Sequence, residues 1–101
     1  MNPNIHPTAI IEEGALIAPD VSIGAYAFIG PQARIGSGTV IMHHATVEGN
    51  TLMGGGNTVF PYAMIGGKSQ DLKFKGGQPG LIVGEGNCFR EYVSVHTATE
   101  G

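Results

Sequence analysis

Three of the five cationic side chains in this sequence fall in one short stretch, GGKSQDLKFKGGQPG at residues 66–80. Asp71 and Lys73 stand two positions apart there, with Lys68 and Lys75 on either side. A lysine ammonium is a point charge for an anion, and an aspartate carboxylate accepts hydrogen bonds from hydroxyl groups. The stretch carries +2, which leaves −5 on the remainder of a chain whose net charge is −3. A positive patch on an acidic body favours an anionic ligand. The same composition suits a solvated connector, and the residue types alone leave both readings open.

The other chemistry-bearing residues are few. There are four histidines, His6, His43, His44 and His96, and one cysteine, Cys88. A single cysteine forms no intrachain disulfide, in keeping with a reducing compartment. The first residues, MNPNIHPTAI, do not read as a signal peptide. No apolar run approaches the roughly 20 residues of a membrane-spanning helix, so a cytoplasmic location is expected. The acidic balance gives no basic surface for nucleic acid.

The elements that hold these residues are set by an unusual count. Positions 5, 11, 17, 23, 29, 35, 41, 47, 53, 59 and 65 are all aliphatic or Met. Four residues after each comes a short side chain, from Ala9 and Ala15 to Asn57 and Ala63. A helix repeats at three and four residues and a half-buried strand alternates. A period of six with one large and one small inward residue fits short strands joined by tight bends. That is the hexapeptide pattern of a parallel β-helix. Three hexads make a triangular coil of 18 residues, and coils stack about 4.8 Å apart. With 17 Gly, 6 Pro and 13% charged residues, the composition also disfavours long helices. The expected fold is all-β, one β-helix segment over 1–101, with a loop protruding at 66–80. There the sixes fail at Asp71 and Gly77, and they resume at Val83, Phe89 and Val95.

Coil geometry then judges the histidines. Neighbouring residues on a strand face opposite sides, which makes His43 and His44 poor co-ligands for one ion. His96 lies two to three coils further on, roughly 10–14 Å away at the strand spacing. Metal: none is therefore the expectation, and no cofactor is implied. Tyr26, His44 and Tyr62 are spaced 18 apart and should form one outer column, stacked or in a subunit interface. His96 follows an inward Val95 and should point off the coil near a corner. Cys88 reads as a small, semi-buried side chain with no base to activate it. Arg90 and Glu91 read as surface charges or interface partners.

The hexads resemble those of the hexapeptide-repeat acyltransferases, whose fold is a left-handed parallel β-helix. The handedness comes from that resemblance alone. QDLK at 70–73, followed by REYVSVH at 90–96, is similar to the acyl-carrier-protein-dependent UDP-N-acetylglucosamine O-acyltransferase family. The opening IHPTAIIEEGA also matches that family's start, so the resemblance runs along the whole chain. The family usually continues His-Arg-Gly-Thr, where this chain has His96-Thr97-Ala98-Thr99.

The resemblance implies transfer of a 3-hydroxyacyl group from acyl carrier protein to the 3-hydroxyl of UDP-N-acetylglucosamine, the first step of lipid A biosynthesis. It implies a homotrimer with sites between subunits. Carried over residue by residue, Asp71, Lys73, Gln70 and His96 are the substrate-binding positions. The catalytic general base, a histidine in later coils of the family, has no counterpart here. Gly101 stands in mid-pattern, and a solenoid needs its ends covered. The sequence thus reads as an N-terminal segment, inactive alone. Two alternatives remain: a non-catalytic hexapeptide scaffold, and a γ-class carbonic anhydrase-like protein. The latter needs a His-x4-His pair, and no two histidines here are five apart.

Overall fold

The computed structural model describes residues 4–67 and 80–96. Among the described residues, all thirteen regular elements are strands of two to four residues, and no helix is long and apolar enough to cross a membrane. The strands fall into three parallel sheets, one per side of a triangular coil. The first side carries β1 (Ile10–Ile11), β4 (Phe28–Ile29), β7 (Thr46–Val47), β10 (Met64–Gly67) and β13 (Ser94–His96). The second carries β2 (Leu16–Ile17), β5 (Arg34–Ile35), β8 (Thr51–Met53) and β11 (Leu81–Val83). The third carries β3 (Ser22–Ile23), β6 (Val40–Ile41), β9 (Thr58–Val59) and β12 (Cys88–Phe89), with Ile5 bridging to Ile23.

Each two-residue strand turns one side chain out and one in, as the pleat requires. The inward residue is the aliphatic of the sixfold count. Ile11 stacks on Ile29 and Ile29 on Val47, so Ile29 is fully buried. Ile5, Ile23, Ile41 and Val59 form the equivalent column on the third side. The short residues of the second column, Ala27, Ala33, Thr39, Ala45, Thr51, Asn57 and Ala63, are buried at the corners. A larger side chain there would collide with the converging walls. The core is continuous because each coil covers the next. Ile11, Ile17, Phe89 and Val95 pack on it while only partly buried, since they sit toward the two ends of the described stack.

The break in the count is resolved by register. From β1 to β10, partners are 18 residues apart. Across the break the pairings shift to 30, as in Thr51 with Leu81, Thr58 with Cys88 and Met64 with Ser94, until the ladder slips by one at Gly67 with His96. The chain therefore spends twelve extra residues between β10 and β11 and then rejoins the same columns. Residues 68–79, which include most of the predicted loop, lie outside the described residues.

Asn57 is a polar residue locked across that junction on three bonds. Its Nδ2 donates to the Gly54 and Gly84 carbonyls at 2.8 Å each, and its Oδ1 accepts from the Asn87 backbone at 2.8 Å. A fully buried amide is thus satisfied within and between coils.

Candidate functional site

The described chain reaches the extra segment through a defined strand end. After Ile65 the backbone enters the left-handed region at Gly66, with φ of 82°. β10 then continues to Gly67, which pairs with His96 of β13 across an irregularity in the ladder. Gly66 is buried, and a Cβ there would overlap the Glu48 carbonyl oxygen and the Thr51 hydroxyl. Only glycine fits, both by conformation and by space. Of the predicted substrate-binding residues, Gln70, Asp71 and Lys73 lie outside the described residues. His96 is located by its backbone alone, beside Gly67, the strand position from which residues 68–79 depart.

The corner between the third and first sides holds a second feature. Tyr26, His44, Tyr62 and Tyr92 occupy the same turn position in successive coils, all with φ between 59° and 67°. Non-glycine residues reach this region at a cost of about 1–2 kcal/mol each. The equivalent corner between the second and third sides uses Gly38, Gly56 and Gly86 instead, with φ of 70–75°. The aromatic corner offsets its cost by stacking. His44 lies 5.0 Å from Tyr62 at 14° and 5.3 Å from Tyr26 at 31°, and Tyr62 lies 5.6 Å from Tyr92 at 9°. Such pairs contribute about 0.5–1.5 kcal/mol each. The ring spacing follows the strand spacing because one ring comes from each coil. The column expected from the sequence is present, and Tyr92 extends it. Tyr92 escaped the sequence reading because it stands 30 rather than 18 positions after Tyr62, with the extra twelve residues between them.

One sequence argument is overturned here. His43 and His44 do not face opposite sides, because they lie in the turn after β6 and not on a strand. The left-handed backbone at His44 swings its ring back toward His43. The two Nδ1 atoms are 3.0 Å apart and the rings meet edge to face at 88°. His43 also sits edge-on to Tyr62 at 6.1 Å. Both imidazoles are exposed. His96 belongs to the coil of Tyr92, two strand spacings beyond that of His44.

Cys88 differs from expectation too. It is the outward residue of β12, in the row Ser22–Val40–Thr58–Cys88, and it is exposed, because Phe89 takes the inward position. The Arg90 guanidinium lies over the Phe60 ring at 4.5 Å, one coil back, and its Nε meets Glu91 at 3.3 Å. The Glu91 backbone N–H, and then Arg90, draw the Glu91 carboxyl below its usual range. At the glycine corner, Asp20 accepts from the Ser37 hydroxyl at 2.7 Å and the Gly38 N–H at 3.0 Å. Those two bonds, the hydroxyl first, hold its carboxyl below the ordinary 3.8.

Comparison with known proteins agrees with this architecture. Residues 2–37 match the family described as bacterial transferase hexapeptide (six repeats). The acyl-[acyl-carrier-protein]–UDP-N-acetylglucosamine O-acyltransferase of Bartonella bacilliformis is 45% identical over 96 residues, covering 95% of this chain and 35% of its own length. The protein of the same name from Thermodesulfovibrio yellowstonii is 44% identical, covering 94% and 37%. Among solved structures, LpxA from Acinetobacter baumannii superposes with a TM-score of 0.86 at 47% identity, over 95% of this chain and 37% of that one. The UDP-N-acetylglucosamine O-acyltransferase of Moraxella catarrhalis gives 0.85 at 41%, with the same coverage. The chain spans about a third of the length of these relatives. Its fold is that of their left-handed parallel β-helix. By repeat, register and sequence, the chain is similar along nearly its whole length to about a third of the UDP-N-acetylglucosamine O-acyltransferases, which are hexapeptide-repeat proteins.

Proposed function

We propose that this chain serves an acyltransferase that moves a 3-hydroxyacyl group from acyl carrier protein to the 3-hydroxyl of UDP-N-acetylglucosamine, opening lipid A biosynthesis. One observation carries the reading. A likeness to proteins of this one name runs over 96 of the chain's 101 residues, so it includes the break in the repeat as well as the coils. A bare coil likeness would stop at the hexads.

In this reading, residues 68–79 are the nucleotide-sugar segment. Lys73, with Lys68 and Lys75 near it, offsets the charge of the diphosphate, and Asp71 accepts hydrogen bonds from sugar hydroxyls. Gln70 and His96 complete the contacts. The pairing of His96 with Gly67 supports their joining one site, because it sets His96 at the root of the segment that carries Asp71 and Lys73. The reaction takes the sugar 3-hydroxyl proton onto a general-base histidine outside these 101 residues. The oxygen attacks the thioester carbonyl, a C–O bond forms, the C–S bond breaks, and the thiol of the carrier takes up the proton. We further infer a cytoplasmic homotrimer with sites between subunits, with acyl carrier protein as donor partner.

The test assays the product of the reading frame that contains these residues, with UDP-N-acetylglucosamine and 3-hydroxyacyl carrier protein, by mass spectrometry of the acylated sugar nucleotide. Asp71→Ala and Lys73→Ala should each lower kcat/KM about ten- to a hundredfold, the worth of one hydrogen bond to a charged group. Lys75→Ala should matter less, and melting temperatures should stay unchanged. Absence of transfer refutes the activity. Wild-type kcat/KM in both Asp71→Ala and Lys73→Ala leaves the activity standing but makes the segment a mere connector.

A further inference from the structure

We propose that His43 and His44 form a two-imidazole chelate for a borderline divalent transition-metal ion, Cu(II) above all, at the aromatic corner of the coil. This site is separate from the acyl-transfer reading and stands on the corner's geometry. Metal–imidazole bonds of about 2.0–2.1 Å meeting near 90° set the two nitrogens roughly 2.9 Å apart. The Nδ1 atoms of His43 and His44 are 3.0 Å apart. That bite fits tetragonal Cu(II) or Ni(II) better than the wider angle of tetrahedral zinc.

The pair is organised in advance of binding. His44 is held by its left-handed backbone and by the Tyr26 and Tyr62 rings on its two faces. His43 is held edge-on to both His44 and Tyr62. Little side-chain freedom is left to lose when a ligand arrives. Both rings are exposed, so an ion has access and water completes its coordination. A metal ion binds the pair with each neutral imidazole carrying its proton on Nε2, which leaves both Nδ1 lone pairs for the ion once the rings turn toward it. The stacked phenols add a reporter, because copper within a few ångströms of Tyr26 and Tyr62 quenches their fluorescence, and the chain has no Trp to mask it.

The probe is CuCl2, titrated into the full untagged chain near pH 7.5 and followed by calorimetry and tyrosine fluorescence, with NiCl2 and ZnCl2 in parallel. One equivalent of Cu(II) should bind and quench, with Ni(II) and Zn(II) weaker. His43→Ala and His44→Asn should each weaken copper binding by about tenfold or more, since even indirect ligand partners are worth that much. Asparagine is chosen at 44 because it tolerates a positive φ. His6→Ala, whose imidazole is engaged with Thr8, should change nothing. Circular dichroism verifies that each variant is folded. Wild-type copper affinity in either folded His43 or His44 variant overturns the proposal, as does binding without tyrosine quenching.

Discussion

Alanine at Gly66 tests how tightly the root of the 68–79 segment is locked to the coil, and Gly56 in the same coil provides the reference. Both glycines have positive φ, 82° and 70°. Alanine in that region costs about 1–2 kcal/mol by conformation alone. At Gly56 the nearest atom to a new Cβ is the Gly86 nitrogen at 3.9 Å, an ordinary contact, so the cost stops there. At Gly66 the methyl overlaps the Glu48 carbonyl oxygen and the Thr51 hydroxyl. Those two groups are bonded to each other at 2.8 Å, and the Glu48 N–H donates to Ile65 at 2.9 Å. Making room breaks the hydroxyl bond, worth about 1 kcal/mol, and adds overpacking of about 1–3 kcal/mol. The Gly66→Ala total is about 3–6 kcal/mol, a large share of the 5–15 kcal/mol that holds a domain of this size. Each kcal/mol lowers Tm by about 4–8 °C. Urea unfolding followed by circular dichroism gives both values, and hydrogen exchange at Gly67 and His96 reports whether the strand end has parted. Equal costs for Gly66→Ala and Gly56→Ala would refute the claim that packing, beyond conformation, reserves position 66 for glycine.

Ile29→Asp should abolish the cooperative β-type fold, since it puts an unpaired carboxylate into a fully buried column between Ile11 and Val47; a soluble variant with native circular dichroism would disprove the column. Asn57→Leu should cost about 2–4 kcal/mol by stranding the Gly54 and Gly84 carbonyls and the Asn87 N–H, whereas the exposed Asn87→Leu should stay within about 0.5 kcal/mol; urea midpoints compare them. The Asp20 carboxyl should titrate below 3.8 by NMR, and Ser37→Ala should raise its midpoint. Because its folded pKa is depressed, the stability it contributes is present above the unfolded value and lost as pH falls through the folded one.

Much of this molecule is legible in one dimension. A β-helix coil is local: its inward residues, corner residues and stacking partners are fixed by offsets of six and eighteen. Ile29 between Ile11 and Val47, and Tyr26 under His44 under Tyr62, could therefore be named by counting. The resemblance carried by QDLK and REYVSVH was legible for the same reason, as short contiguous runs. What counting could not decide was how the columns continue beyond Ile65. Only the inter-coil pairings fix the excursion at twelve residues, and they bring Tyr92 onto Tyr62 and Arg90 onto Phe60. Side-chain direction at corners was equally hidden. The strand rule of opposite faces fails at His43 and His44 because a positive φ at His44 turns the second ring back, and that φ appears only in the folded chain. Tyrosine at 26 and glycine at 38 adopt the same backbone. From the second coil onward both corners take that conformation, and only the folded chain shows that one corner meets its cost by stacking while the other avoids it with glycine.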